Sequence, residues 1–309
     1  MHRIIAPAIA AALLLGGCTV LDASENEMPE VLRFAGVSID ATQETFEIYD
    51  TLLSELSDAL GIPVEYYPTD SGPAVAEAMI SGRVDIALMS VMGFLGASKT
   101  VSNIELVGVT KRLNASQPGY YSVAITKKGS GVSSLEDLRG EKVCFSAPAS
   151  VTGDLLPTQA LLELGIESRF DKVQDLESIM LGSSPLSFGG VRDGECIAGF
   201  GLDSSFEVYM PASGDIVPDE YDLFWRSDRV PGAPLVVNAN LPGNLPQLVS
   251  ETFINLLNKT SFVERGVCED EASCEFLAQN MWGFVPASVS DYDFLLDACA
   301  ETGYDICKD

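Results

Sequence analysis

Lys142-Val143-Cys144-Phe145-Ser146-Ala147-Pro148-Ala149-Ser150-Val151-Thr152-Gly153 joins an apolar run to a loop of small and hydroxylated residues, and a helical pattern starts near Thr152. A strand that feeds a helix through such a loop is a βα unit. The same rhythm extends upstream. Val31 to Val37 reads as a strand, Glu44 to Leu60 as a helix stopped by Gly61, Pro63 to Tyr67 as a strand, Ala74 to Ser81 as a helix and Val84 to Met89 as a strand. Downstream, Asp175 to Ile179 and Glu195 to Phe200 continue the strand series. The alternation predicts an α/β chain with parallel-type sheets flanked by helices.

Two interruptions predict crossings between domains. Strands at Ile104 to Thr110 and Tyr120 to Thr126 flank the turn-rich Asn114 to Gly119, and strands at Tyr221 to Trp225 and Leu235 to Asn238 flank Val230-Pro231-Gly232-Ala233-Pro234. Leu245 to Asn258 and Asp291 to Thr302 read as helices that return to the first domain. The expected organisation is a first lobe from 31–118 and 230–309 and a second lobe from 119–229.

Eighteen basic and 45 acidic side chains give the 309-residue chain a formal charge of −27, the opposite of what a phosphate backbone attracts. That argues against a nucleic-acid partner. The single histidine is His2. Without another, Ser-His-Asp and Cys-His nucleophile pairs and histidine metal sites are excluded, and neither a metal nor a cofactor is expected. Capture rather than catalysis is the expectation.

Arg3 precedes the apolar stretch Ile4 to Leu15, which suits a signal peptide over residues 1–17 and is shorter than a bilayer span. It ends in Leu15-Gly16-Gly17-Cys18, which resembles a bacterial lipobox, so Cys18 is the expected lipid attachment point and residues 18–30 a polar tether. Six cysteines remain after Cys18, an even number suited to an oxidising compartment. Six allow fifteen pairings. Short loops favour Cys268 with Cys274 and Cys299 with Cys307, which leaves Cys144 with Cys196.

Ligands of open α/β sheets bind at the carboxyl ends of strands, and four loops there carry candidate residues. Ser150, Val151, Thr152 and Gly153 open a helix, where backbone N–H groups and the positive end of the helix dipole suit an anion; capping alone explains Ser150 or Thr152 equally. Ser183 and Ser184 precede Pro185 and open another helix, again with capping as the alternative. Ser90 follows the Val84 strand beside Met89 and Met92, which serve either packing or ligand contact. Asp203 follows the Cys196 strand, as a ligand acceptor or a cap.

At these motifs the chain resembles the phosphate/phosphite/phosphonate family of periplasmic substrate-binding proteins of ABC importers. The matching residues are Gly82-Arg83-Val84-Asp85-Ile86-Ala87, Pro118-Gly119-Tyr120-Tyr121-Ser122-Val123, Leu135-Glu136-Asp137-Leu138-Arg139-Gly140, Ser150-Val151-Thr152-Gly153 and Val230 to Pro234. The resemblance implies a two-lobed periplasmic-binding-protein fold of type II, with two hinge strands and a ligand cleft between mixed sheets. It also implies capture of a small anionic or zwitterionic solute, delivery to the transmembrane subunits of an ABC permease, and a monomer held outside the cytoplasm of a bacterium by its lipid. A sensor module that presents a bound solute is the other role open to such a chain. Ser150, Thr152 and Gly153 would hold anionic oxygens, Ser183 and Ser184 would add donors, and Tyr121, Ser90 and Ser71 would contribute from the hinge and first lobe. Asp203 would recognise a protonated group. Three departures bear on the ligand: Val151 stands in a motif commonly Ser-Thr-Ser-Gly, Ser184 stands where a histidine often follows Gly-Ser, and Asp70-Ser71-Gly72 lacks a common aromatic neighbour.

Overall fold

The computed structural model describes residues 28–36, 49–113, 117–148, 150–169, 171–274, 276–277 and 280–304. The expected signal peptide, Cys18, Ala149, Cys307 and the first residues of the helix predicted from Glu44 lie outside them.

Two mixed sheets organise the chain. The first has the order β11-β4-β10-β3-β1-β2 and is formed by β1 (Leu32–Gly36), β2 (Val64–Tyr66), β3 (Ile86–Leu88), β4 (Ile104–Arg112), β10 (Pro234–Asn238) and β11 (Met281–Val285). The second has the order β7-β6-β8-β5-β9 and is formed by β5 (Ser122–Lys127), β6 (Lys142–Phe145), β7 (Glu177–Met180), β8 (Ala198–Leu202) and β9 (Tyr221–Arg226). Strands joined through helices pair in parallel, as β1 does with β2 and β3 and β6 with β7 and β8. Strands that enter or leave a sheet at the crossings, β4, β5, β9 and β10, pair antiparallel, as does β11 with β4.

Apolar residues on both sides of each strand explain why both faces of each sheet are covered. On β1, Leu32 and Phe34 face the core packed by α1 (Asp50–Leu60) and α7 (Leu245–Asn255), while Ala35 faces α2 (Gly72–Ile80) and α3 (Val91–Thr100). On β5, Ala124 joins one core and Val123 and Ile125 the other, the latter closed by Phe188 of α5 (Ser184–Asp193). The first core is completed by α8 (Lys259–Glu264) and the second lobe by α6 (Met210–Ser213).

The chain passes between sheets at Tyr120 and returns at Val230, and these two connectors bond to each other, each backbone N–H reaching the other carbonyl at 2.8–2.9 Å. Glycine is required at both. A Cβ on Gly119, at φ 127°, would run into the Val230 carbonyl oxygen, and one on Gly232 would run into that of Thr110.

The helix expected near Thr152 begins instead as a π-helical turn, Val151–Leu155, and continues as α4 (Leu156–Glu163). Helix α9 (Asp293–Thr302) bridges the halves. Leu295 and Ala298 pack in the core beside β1, while Glu301 accepts a bond from Gln159 of α4 at 2.9 Å and the Thr302 carbonyl one from Arg169 at 2.9 Å. Disulfides join Cys268 to Cys274, as its short loop favoured, and Cys144 to Cys196, the pair that was left over. Cys299 is also disulfide-bonded.

Candidate functional site

Where the carboxyl ends of β3, β4, β6 and β8 meet, a cavity of about 460 Å³ opens between the sheets. Two short motifs of the same form reach it, Ser90-Val91-Met92-Gly93 from the first half and Ser150-Val151-Thr152-Gly153 from the second. In each, the serine is the N-cap: Ser90 Oγ accepts from the Gly93 N–H at 3.1 Å, and Ser150 Oγ from the Gly153 N–H at 3.2 Å. The next two amides, of Val91 and Met92 and of Val151 and Thr152, are first-turn donors with no acceptor in their own helix. Both pairs belong to residues that line the cavity, so two helix starts direct partial positive charge at it.

The glycines in these motifs are steric requirements. A Cβ on Gly153 would collide with the Ser146 side chain, and one on Gly93 would lie 2.9 Å from Ser90 Oγ. Ser122 Oγ donates to the Thr152 carbonyl at 2.6 Å and Ser146 N–H to the Gly153 carbonyl at 3.0 Å, which fixes the second loop to β5 and β6.

Arg112, the last residue of β4, supplies a full positive charge. Its Nη1 and Nη2 donate to the two Asp203 carboxylate oxygens at 3.3 and 3.1 Å, and Nη2 also reaches Ser204 Oγ at 3.2 Å. The pair joins the two halves of the molecule. Asp203 is 4% exposed, accepts the Ser204 N–H at 2.8 Å and has Arg226 3.9 Å away, itself ion-paired to Glu207. Tyr209 lines the cavity and donates to Asn280 of the first half at 3.1 Å. Tyr120 forms part of the wall; burial, partly offset by Arg112, pushes its phenol well above the usual value of 10, so it stays a neutral donor. The remaining wall is largely apolar, from Met89, Leu202, Ala233 and Met281.

Of the residues expected at the site, Ser90, Ser150, Val151 and Thr152 come together on this cavity. Six others do not line it. The Gly153 N–H is taken by Ser150. Ser71 caps α2, accepting from Ala74, and Ser183 caps α5, accepting from Leu186. Ser184 Oγ lies 3.3 Å from Ser146 Oγ and accepts the Leu202 N–H at 3.0 Å. The Tyr121 ring stacks against Arg226, 4.9 Å from its centroid, within the second lobe. Asp203, expected to meet a protonated ligand group, is already neutralised by Arg112. Arg112, Tyr120, Ser204 and Tyr209 were not anticipated as site residues; the basic pair Lys111-Arg112 at a strand's carboxyl end in so acidic a chain was the available signal for the first. Among the described residues, no group of three His, Cys, Asp or Glu side chains could hold a metal ion.

Two lobes, a double connector and a cleft ringed by helix starts agree with a family comparison: residues 34–292 match the model described as ABC transporter, phosphonate, periplasmic substrate-binding protein. The chain belongs to this family. As a periplasmic substrate-binding protein it works on the extracytoplasmic side of an ABC importer. It is 29% identical to the phosphate-import protein PhnD of Mycolicibacterium smegmatis, over 99% of this chain and 98% of that one. PhnD1 of Prochlorococcus marinus, solved with methylphosphonate, superposes with a TM-score of 0.65 at 16% identity, over 89% of this chain and 98% of that one. XAC2383 of Xanthomonas citri, solved with ATP, gives 0.69 at 17% identity over the same shares, 89% and 98%. At these identities the solved structures establish the two-lobed α/β fold of the binding protein. No helix among the described residues is long and apolar enough to cross a membrane.

Proposed function

We propose that this chain is a lipid-anchored binding protein that captures a tetrahedral oxyanion of the phosphonate or phosphate class between its lobes and presents it to an ABC permease, without catalysis. The lobes are 31–118 with 230–309, and 119–229. One observation carries the reading: two Ser-Val-x-Gly helix starts and Arg112 converge on one cavity from opposite lobes. The four amides of Val91, Met92, Val151 and Thr152 donate to anionic oxygens, Arg112 offers its remaining N–H groups, and Tyr120, Ser204 and Tyr209 add polar contacts. Charge-assisted bonds contribute about 1.5–3 kcal/mol each, so a few suffice for tight capture. The anion gains contacts from both lobes only when they are closed, which favours the closed form that a permease reads. The names of the relatives, one a phosphate importer and one solved with methylphosphonate, support this ligand class.

The overall charge of −27 does not oppose it, because exposed carboxylates are screened over roughly 8 Å at physiological salt while cleft donors are in contact. Anchoring through Cys18 and a monomeric state complete the proposal. Calorimetry and thermal denaturation with phosphate, phosphite, methylphosphonate and sulfate test it. A ligand at a hundredfold excess over its Kd stabilises the native state by about 2.7 kcal/mol. A shift with a phosphorus oxyanion, weakened by Arg112→Gln, is expected; a response to sulfate alone, or to none of the four, refutes the ligand class. Cys18→Ser should move the protein from membrane to soluble fractions, and unchanged membrane association would refute the anchor.

A further inference from the structure

Among the described residues that line the cavity, Arg112 is the one cation and there is no carboxylate. The nearest candidate acid, Asp203, lies behind the guanidinium. One of its oxygens receives Arg112 Nη2 and the Ser204 N–H, and the other receives Arg112 Nη1. Arg226 approaches that second oxygen at 3.9 Å, and the carboxylate is 4% exposed. An ammonium group carried into the cavity would therefore meet a fixed guanidinium and a wall of Met89, Leu202 and Met281. A charged group taken from water without a partner is strongly disfavoured, and here a like charge stands beside it. The same wall accepts an apolar substituent, since methionine side chains repack around varied shapes. Three of the five guanidinium N–H donors are engaged in the bonds to Asp203 and Ser204, which leaves others for an oxyanion.

We propose that the Arg112–Asp203 pair sets ligand specificity: the chain's own guanidinium occupies the carboxylate that an ammonium-bearing ligand would need. The cavity thereby selects phosphorus oxyanions with an apolar substituent or none, and rejects aminoalkyl ones. This rests on the function proposed above and narrows it. Arg112 has two roles that a variant can separate, since its charge attracts any oxyanion whereas its masking of Asp203 discriminates between substituents. The ratio of two affinities isolates the second role.

Isothermal titration of the protein, purified as the cell processes it, with ethylphosphonate and 2-aminoethylphosphonate tests the proposal, because the two differ by an ammonium group in place of one hydrogen of the terminal methyl. The wild type should bind ethylphosphonate about tenfold tighter or more, the effect of one unmet charged hydrogen bond. Arg112→Gln should weaken both ligands and lower or invert the ratio, since Asp203 becomes available to the ammonium. Arg112→Gln with Asp203→Asn should restore the preference for ethylphosphonate. Arg112→Lys, which keeps a cation against Asp203, should retain it, and circular dichroism checks that each variant is folded. Equal affinities in the wild type, or a ratio unchanged in Arg112→Gln, would overturn the proposal while leaving oxyanion capture intact. Binding of no phosphorus oxyanion by the wild type would overturn oxyanion capture itself, and the specificity with it.

Discussion

Removing the Cys144–Cys196 disulfide by Cys144→Ala with Cys196→Ala should destabilise the second lobe much more than the first. The bridge spans 52 residues of chain, for which the loop-closure entropy restored to the unfolded state corresponds to about 4 kcal/mol at 25 °C. The Cys268–Cys274 bridge spans six, which corresponds to about 2 kcal/mol. Each lobe contains one tryptophan, so the two effects can be read separately. Trp225 packs edge-on to Phe200 in the second lobe, and Trp282 donates to Thr260 in the first. Guanidinium denaturation followed by fluorescence, in Trp282→Phe and Trp225→Phe backgrounds, should show the Trp225 transition moving to lower denaturant when Cys144 and Cys196 are replaced. The Trp282 transition should move less. Ligand affinity below the transition should be unchanged, because neither cysteine lines the cavity. A loss below about 1 kcal/mol, or one no larger than that from replacing Cys268 and Cys274, would refute the loop-entropy reasoning.

Tyr209→Phe removes the hydrogen bond to Asn280 that exists only when the lobes are together, and should weaken methylphosphonate binding between about two- and tenfold by titration calorimetry; undiminished affinity would mean the bond does not favour closure. Gly153→Ala forces a methyl group onto Ser146 and should destabilise by about 1–3 kcal/mol in thermal melts, and a wild-type melting point would contradict the steric reading. Arg169 holds the Glu167 carboxyl below its usual range by donating from Nε and Nη2 at 2.9 and 2.7 Å. Its folded pKa being depressed, that stabilisation is present above the unfolded glutamate value and disappears as pH falls through the folded one. Melting temperature between about pH 5 and about pH 3 should therefore fall less steeply in Glu167→Gln than in the wild type, and parallel slopes would exclude this contribution.

The sheets were legible because buried parallel strands are short apolar runs, and Leu32 to Gly36, Ile86 to Leu88 and Lys142 to Phe145 are each bounded by turn residues. Gly61 is the left-handed residue ending α1, as its position in the sequence suggested. Helix α3 was not legible: Gly93 and Gly96 lower its intrinsic propensity, and its stability comes from packing of Val91, Phe94 and Leu95 that only the folded chain supplies. Strand β11 was missed for a similar reason, as Met281-Trp282-Gly283-Phe284-Val285 carries a glycine and is held by pairing with β4. At the site, Ser150 was visible as a local helix start and Ser90 as a residue of the loop after the Val84 strand. The partnership of Arg112 with Asp203 spans 91 positions and is created by the apposition of two lobes, so no local pattern encoded it. That is also why Asp203 was read as a ligand contact: its chemistry was correct for a cation, and the cation belongs to the chain itself.

Helix α9 begins in the core of one lobe and ends bonded to α4 and Arg169 of the other. Any separation of the lobes must either carry its last turn along or release Gln159 from Glu301 and Arg169 from the Thr302 carbonyl. The end of this helix is therefore a natural gauge of how far the molecule has opened. An environment-sensitive dye placed on exposed Glu301 would translate solute capture into an optical signal without entering the cavity.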